Sequence, residues 1–368
     1  MQALASADGR VYAGTLYRGV FVSTDNGQTW REANNGLGNL AVNALAAAGA
    51  NAFAATNGGL YRTSEGGQSW TLAVPVAMRS LALTAAGLFA GSTTGRVFRS
   101  TDNGATWTER TALANAPIVY ALAMQGENLF AGTARGLFRS ADNGAAWTAV
   151  TAGLPNTGAP IVTALITNDN KLYLGTGSVY RDAQNNFLPQ VYVSADNGQN
   201  WTGVGAAIRI PVNTTTFLPA VPALAADSGK LYALTSQGAM VFDGQTWSEP
   251  PNRGLPIGGQ AYAFLRSGDV TLLATAGGIF MPASDGQSWT QSNRGLTAAS
   301  LCDLRNSNNR LYCLLRFERP LSQQRCRANL DATDRRQQRR GTAFRNASFG
   351  RARQQRIHFG LLRRHFSL

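Results

Sequence analysis

The octapeptide STDNGQTW, residues 23–30, decides the fold, because the chain repeats it. All seven tryptophans end a copy of this phrase, and the steps between them are 40, 37, 40, 54, 46 and 42 residues. The further copies are TSEGGQSW at 63–70, STDNGATW at 100–107, SADNGAAW at 140–147 and SADNGQNW at 194–201, followed by the shortened FDGQTW at 242–247 and SDGQSW at 284–289. A fixed period of this length indicates one supersecondary unit used many times.

Each unit also repeats three short apolar segments ahead of its tryptophan. In one unit these are VYALA at 119–123, LFAGT at 129–133 and GLFRS at 136–140, separated by glycine-containing turns. With a fourth strand beginning at the tryptophan, the pattern is typical of a four-stranded antiparallel blade. We predict an all-β protein, a β-propeller with seven complete blades from Met1 to about Arg294. An eighth blade begins in 296–312, and whether seven blades close or a larger ring was intended stays open.

The phrase S-x-D-x-G-x-x-W resembles the Asp-box, or BNR repeat, of sialidase-like propellers, and the resemblance covers roughly residues 1–312. We read its chemistry as structural: the carboxylate can accept backbone N–H bonds across the turn, the glycine can take a positive φ, and the indole can wedge beneath the hairpin. The residues assigned to this role are Asp25, Gly27, Trp30, Glu65, Gly67, Trp70, Asp102, Gly104, Trp107, Asp142, Gly144, Trp147, Asp196, Gly198, Trp201, Asp243, Trp247, Asp285 and Trp289.

The charge of the chain is concentrated at one end. Residues 1–312 hold 19 Lys and Arg against 17 Asp and Glu, whereas residues 313–368 hold 14 Arg, no Lys and 3 acids. No apolar run approaches the ~20 residues of a membrane span, and residues 1–15 lack the basic and apolar regions of a signal peptide. Three cysteines cannot make a disulfide framework, and they lack the C-x₂-C spacing of a zinc site, so we expect neither a metal nor a cofactor.

Three interpretations compete for the arginine-rich segment 313–368: a nucleic-acid arm, a solvated disordered tail, and a shifted reading frame. The third is preferred. Read one nucleotide later, tryptophan can arise in this segment only at Leu330–Asp331, which lies 41 residues after Trp289 and so in step with the blades. The surrounding codons can then encode S-N-D-A-G-Q-T-W-T, a complete box. We therefore expect two regions, a propeller at 1–312 and a frameshifted, disordered tail with no nucleic-acid role.

Two sets of residues are candidates for ligand binding. One is a column in the first strands that varies while its neighbours repeat, and such mixed side chains at a concave site suit recognition. The other is the loop GTGSVYRDAQNNFLPQVYVS in blade five, about ten residues longer than its counterparts. The column contains Gln2, Asn43, Arg79, Tyr120, Thr163, Pro222 and Tyr262, and the loop contributes Tyr180, Arg181, Phe187 and Leu188. The alternative for the column is that these side chains merely face water.

The resemblance implies a function only in outline. Related Asp-box propellers include photosystem II assembly factors, the sortilin-type receptor domain and many exported bacterial proteins. They imply a non-catalytic, monomeric scaffold for a protein or glycan ligand, exported or at the cell surface. The second hypothesis is a glycoside hydrolase, whose test is a carboxylate pair across the channel. One segment, Ile208–Pro211, is similar to the arginine motif of sialidases. Its Arg209 follows the fifth Asp-box, however, whereas the sialidase arginine precedes the first Asp-box.

The gene sequence tests the shifted frame. If the tail conceals a box, Leu330 is encoded by CTG or TTG, and the Arg325 codon ends in the base that yields Asp in the other frame. Sequencing of the genomic DNA around codons 310–330 checks this. Any other codon at either position contradicts the shifted frame and returns the segment to the two remaining interpretations.

Overall fold

The structure is a computed structural model that describes most of the chain up to Leu314. The described residues are 2–113, 115, 118–155, 159–212, 215–227, 229–249, 255, 260–267, 270–283, 288–296, 303–307 and 310–314. The chain divides into two compact units, Met1–Leu301 and Cys302–Leu368. The tail was expected over 313–368, and its residues from 315 onward, with Cys326 and both histidines, lie outside the described residues.

The first unit contains seven four-stranded antiparallel sheets, and in each the strands pair in sequence order. Blades one to four comprise β1 (Ala3–Ala7), β2 (Arg10–Gly14), β3 (Val20–Ser23), β4 (Arg31–Glu32); β5 (Val42–Ala48), β6 (Asn51–Thr56), β7 (Gly59–Thr63), β8 (Thr71–Val74); β9 (Met78–Thr84), β10 (Gly87–Ser92), β11 (Val97–Ser100), β12 (Thr108–Glu109); and β13 (Val119–Gln125), β14 (Asn128–Thr133), β15 (Gly136–Ser140), β16 (Thr148–Val150). Blades five to seven comprise β17 (Val162–Asn168), β18 (Lys171–Thr176), β19 (Val191–Ser194), β20 (Thr202–Gly203); β23 (Ala223–Asp227), β24 (Lys230–Thr235), β25 (Gly238–Phe242), β26 (Trp247–Ser248); and β27 (Ala261–Ser267), β28 (Val270–Thr275), β29 (Gly278–Pro282), β30 (Trp289–Gln291).

The seven blades close into a ring. The first strands of successive blades contact one another in order, and β27 of the last blade contacts β1 of the first. The chain is therefore a seven-bladed β-propeller whose first strands surround the axis, as the sequence predicted. The question of closure, which the sequence left open, is answered by the contact between β27 and β1.

Two hairpins belong to none of the four-stranded sheets. Between blades five and six, β21 (Ile210–Val212) pairs with β22 (Thr215–Phe217). In the second unit, β31 (Asp303–Ser307) pairs with β32 (Arg310–Leu314), at the sequence position where an eighth blade was expected to begin. These are the only strands described for that unit.

Each tryptophan packs between its own blade and the preceding one. Trp70 of blade two is 3% exposed, clusters with Tyr12 and Val20 of blade one, and donates its indole N–H to the Ala33 carbonyl oxygen at 2.8 Å. Trp30 does the same across the closure of the ring, because its indole donates to the Ser292 carbonyl oxygen at 3.1 Å. The indoles therefore hold successive blades together, and one of them joins the last blade to the first.

A glycine–leucine pair after the fourth strand receives the tryptophan of the next blade. Leu37, Leu154 and Leu296 are buried in the clusters of Trp70, Trp201 and Trp30, respectively. The glycine before each leucine has a positive φ, and a β-carbon there would collide with the carbonyl oxygen of that same tryptophan. The sequence analysis missed this pair, although the signal is visible as NNGL at 34–37 and NRGL at 293–296.

Replacement of Trp70 by Ala is expected to destabilise the ring by about 3–5 kcal/mol, since it leaves a cavity between two blades and an unpaired carbonyl group. Urea unfolding followed by circular dichroism measures the change. Leu72→Ala, at a side chain that is 50% exposed on the next strand, is the matched control and is expected to cost under about 0.5 kcal/mol. Equal costs for the two variants would contradict the role given to the indole.

Candidate ligand-binding face

The antiparallel order gives the ring two different faces. At one end of the ring, which we call the mouth face, the first strands begin and the turns between second and third strands lie. The boxes, which join third to fourth strands, lie at the other end together with the turns between first and second strands, and we call this end the box face. Both sets of candidate binding residues, the column and the blade-five loop, belong to the mouth face.

On the box face, the carboxylate of each described box accepts hydrogen bonds from its own turn. The Asp102 carboxylate accepts the Thr106 backbone N–H at 2.9 Å and the Ser100 hydroxyl at 2.8 Å, while the Ser100 hydroxyl accepts the Gly104 N–H at 2.8 Å. The boxes at Asp25, Asp142 and Asp196 have the same bonds. The glycines at 27, 67, 104, 144 and 198 all have positive φ values.

Two boxes depart from this geometry. Glu65 accepts the Ser69 hydroxyl at 2.9 Å with a longer side chain, and Thr63 takes the place of the serine that accepts the Gly67 N–H. Asp243, in the shortened sixth copy, accepts the N–H groups of the two residues that follow Gly244. Asp285, of the seventh copy, lies outside the described residues.

Hydrogen bonding lowers the pKa of four box carboxylates, those of Asp102, Asp142, Asp196 and Asp243. The backbone N–H and the side-chain amide of Asn200, followed by the Ser194 hydroxyl, lower the pKa of Asp196 to about 2. Thr106 has the same effect on the pKa of Asp102 through its hydroxyl and then its N–H. A carboxylate that accepts three bonds is held ionised and fixed, which suits a turn and not a proton-transfer site.

On the mouth face, five of the column residues are β-bulges. Pairing of the first with the second strand skips one residue near the start of blades two, three, four, five and seven. A bulge leaves its residue out of the ladder and re-aims its side chain. The skipped residues are Asn43, Arg79, Tyr120, Thr163 and Tyr262. The other two members, Gln2 and Pro222, each immediately precede the first strand of their blade.

The buried residue before each bulge explains why the bulge forms. Val42, Val119 and Val162 are fully buried at the start of their strands. Each packs against the second-strand glycine of the preceding blade, where a β-carbon would find the valine only 2.6–2.7 Å away. The valine anchors the strand to its neighbour, and the residue that follows is displaced outward.

Two of the bulged side chains bond to the backbone of the next blade. Asn43 donates to the Met78 carbonyl oxygen at 2.7 Å and to the Asn57 side chain at 2.8 Å. Thr163 donates to the Val221 carbonyl oxygen at 2.8 Å. These polar groups are therefore already used in linking first strands, and they are less free for a ligand than the sequence suggests.

The side chains of Arg79 and Tyr120 are less engaged in hydrogen bonds to neighbouring blades. The Arg79 guanidinium donates one bond, of 3.3 Å, to the Asn43 side chain, and its central carbon lies 5.9 Å from the centroid of the Tyr120 ring. Asn43, Arg79 and Tyr120 thus form a continuous row across blades two, three and four. Burial lowers the pKa of Arg79, and Tyr120 partly opposes that effect.

The blade-five loop folds as a preorganised hairpin on the same face. Arg181 and Phe187 form an isolated β-bridge, and the guanidinium lies over the Phe187 ring at 3.6 Å, with Arg209 at 5.4 Å from the same ring. The Tyr180 hydroxyl accepts the Ile161 N–H at 2.8 Å, which ties the hairpin to the start of blade five. The hairpin is therefore held beside Thr163.

A cavity of about 530 Å³ lies between this hairpin and the chain that leaves blade four. Its apolar lining includes Leu154, Pro155, Leu188 and Pro189, and Arg181 is at its edge. A second cavity of about 200 Å³ shares Leu154 and Pro155 and has Arg135 in its lining. The two cavities together form a groove between blades four and five.

Most carboxylates of the described blades lie at the box face, in the boxes or in turns between first and second strands such as Asp8 and Asp169. Glu109, at the end of a fourth strand, is an exception, because it is paired with Arg96 in a turn at the mouth face. Asp182, in the hairpin, is another exception. It accepts N–H bonds of 3.0 and 2.8 Å from Gln184 and Asn186, and the Asn186 side chain and backbone lower its pKa.

Within the described ranges, no three His, Cys, Asp or Glu side chains come together as metal ligands would. The part of the chain that the structure describes contains no helix long and apolar enough to cross a bilayer.

Comparisons with known proteins agree with this architecture. A family model described as BNR/Asp-box repeat matches residues 21–32, around the first box. A search of curated proteins finds no match. Among solved structures, the chain is similar to an ancestral GH74 enzyme, with 16% identity, a TM-score of 0.59 and coverage of 85% of this chain and 48% of that one. It is similar to the GH74 xyloglucanase from Xanthomonas campestris, with 16% identity, a TM-score of 0.59 and coverage of 80% and 54%.

A third similar structure is YCF48 bound to D1 peptide, with 17% identity, a TM-score of 0.54 and coverage of 76% of this chain and 91% of that one. The chain spans about half the length of the two GH74 structures. At these identities the similarity shows the fold alone.

The lowered pKa of Asp196 predicts a pH dependence of stability. Because the folded value, about 2, lies below the ordinary value of 3.8, the stabilisation is fully present above about pH 4 and is lost as the pH falls toward 2. Asp196→Asn is therefore expected to lower the melting temperature at about pH 6 and to have a smaller effect at about pH 2.5. Thermal unfolding of both proteins at the two pH values checks this; the same difference at both would contradict it.

Proposed function

Because the chain is a β-propeller with BNR/Asp-box repeats, we propose that it is a non-catalytic scaffold that binds a protein or glycan ligand on its mouth face. The observation that carries this proposal is the set of bulges. Five first strands each displace one side chain at the same end of the ring, and these are Asn43, Arg79, Tyr120, Thr163 and Tyr262. A ring of re-aimed aromatic and polar side chains at a concave mouth suits recognition.

The blade-five hairpin supports the same face. It is an elaboration of one blade only, it is internally bonded, and it borders a groove with an apolar lining. Recognition loops are commonly carried on rigid scaffolds in this way, and a loop that is ordered beforehand loses less entropy on binding. Tyr180, Arg181 and Phe187 contribute to this proposal by building the hairpin.

Glycoside hydrolysis is the second candidate, and the similarity to GH74 enzymes is its support. Such hydrolysis generally needs two carboxylates, one of them able to hold a proton near neutral pH. Two carboxylates of the described blades at the mouth face are Glu109 and Asp182, and the pKa of each is lowered, by Arg96 and by the Asn186 side chain respectively, which favours the ionised form. This distribution favours the scaffold over the hydrolase.

The ligand class follows from precedent and from the groove. YCF48 was solved with a D1 peptide, and this chain covers 91% of that structure, so a peptide ligand has a precedent on a propeller of comparable extent. The apolar lining near Leu154 and Leu188 suits the side chains of a polypeptide. The exported location expected from the family resemblance belongs to the same proposal.

The test uses the full chain, a random library of 12-residue peptides and a glycan array. Tyr120→Ala combined with Tyr262→Ala is expected to weaken retained ligands at least about tenfold while leaving the melting temperature nearly unchanged. Leu83→Ala, at a side chain 53% exposed near the other end of its first strand, is the control and is expected to bind normally.

Three results would count against the proposal. If neither array retains a ligand, or if retained ligands are indifferent to the two tyrosines, the mouth face is not the binding face. A large fall in melting temperature would mark the tyrosines as core residues. Release of sugar from xyloglucan or sialyllactose would favour the hydrolase.

A further inference from the structure

Arg79 carries a charge that the described part of the ring does not neutralise. The ion pairs there are Arg10 with Asp8 and Arg96 with Glu109, and neither includes Arg79. Its guanidinium is half-buried among first strands and uses one of five N–H donors, in a long bond to Asn43. A partly desolvated cation without a counterion is costly, and proteins seldom retain one without a partner.

The mouth face carries further cations besides Arg79. Four exposed arginines lie in turns or connections at the mouth face, namely Arg18, Arg135, Arg181 and Arg209, and the carboxylates of the boxes lie at the opposite face. The hairpin acid, Asp182, is occupied by its own turn. An acidic partner is therefore attracted to the mouth face and oriented by it.

We propose that the mouth face binds an acidic segment of a partner polypeptide and that Arg79 receives one of its carboxylates. This inference rests on the proposed function and specifies the ligand. A guanidinium presents paired N–H groups that match the two oxygens of a carboxylate. The Tyr120 ring beside it can accept a side chain next to that carboxylate, and the apolar groove between blades four and five offers a separate contact for another part of the same segment.

The geometry favours a polypeptide over other anionic polymers. Nucleic-acid binding depends on several phosphate contacts along a basic track, whereas the exposed arginines of the mouth face belong to separate blades or connections and Arg79 is half-buried next to polar and aromatic groups. An acidic glycan would supply carboxylates but no apolar side chains for the groove lined by Leu154, Pro155, Leu188 and Pro189.

The experiment is a double-mutant cycle with the full chain and a defined peptide. The random 12-residue library is panned on the protein, and the most enriched sequence is synthesised with its Asp or Glu and with the corresponding Asn or Gln. Fluorescence anisotropy then measures both peptides against the unaltered chain, Arg79→Gln and Arg96→Gln. Arg96 is the matched control, because it lies in the same blade, is paired with Glu109 and changes the net charge equally.

The proposal expects enriched sequences to share an acidic position. Neutralising that position, or Arg79, weakens binding at least about tenfold, and the two changes together weaken it no further, since they remove one interaction. Arg96→Gln stays within about twofold. The melting temperature of Arg79→Gln is unchanged or raised, because the variant removes an uncompensated charge.

Each other outcome is decisive. Peptides that bind through the tyrosines but share no acid overturn the Arg79 assignment and leave the proposed scaffold function standing. Failure to enrich any peptide overturns the polypeptide ligand as well. Tighter binding of an oligogalacturonide or of a twelve-residue thymidine oligonucleotide would assign the face to a glycan or a nucleic acid. A lowered melting temperature in Arg79→Gln, with peptide binding intact, would make Arg79 structural.

Discussion

The ring depends on the insertion of one indole from each blade into the blade before it. In a propeller whose blades each use four consecutive strands, no strand is shared between neighbours, so no ladder of backbone bonds crosses a blade boundary. Single backbone bonds do cross it, such as the one from the Trp30 N–H to the Arg294 carbonyl oxygen at 2.8 Å. Side-chain packing supplies the rest of the contact, and tryptophan supplies the largest apolar area available to one residue. At the closure this matters most, because Trp30 and Leu296 meet although they are far apart in sequence.

The boxes prepare the indole for this contact. A hairpin turn fixed by a serine hydroxyl and a carboxylate has little freedom, and the tryptophan that follows leaves it in one direction. The glycine has two duties in some blades: Gly104 and Gly198 take a positive φ, and a β-carbon at either would overlap the ring of Phe53 or Phe130 in the preceding blade. The repetition of the glycine in the boxes of this chain therefore has a packing cause as well as a conformational one.

The tryptophan period was enough to predict the blades and their strand order, since both follow from local alternation and turn chemistry. Closure could not be predicted, because the contact of Trp30 with Ser292 joins residues that no local pattern relates. The bulges were equally hidden: the sequence marks Asn43 and Arg79 as variable, but skipping of these residues depends on pairing and on the burial of Val42 or Met78. Likewise, the bonds that occupy Asn43 and Thr163 come from neighbouring blades, so their reduced availability is visible only in the assembled ring.

This division of labour explains how an uncompensated charge persists at the mouth. The stabilising contacts of each blade, its box and its indole, lie toward the other face and the blade boundaries, so a bulge that does not link first strands, as Asn43 and Thr163 do, can hold a group that adds nothing to the ring. Arg79 is placed by Met78, the buried residue before it in its own strand, and by the packing of Val119 at the start of the next blade's first strand, and not by an ionic partner of its own. A scaffold whose stability comes from a repeated element can retain an unfavourable group at one site, and such a group is informative because folding alone gives no reason to keep it.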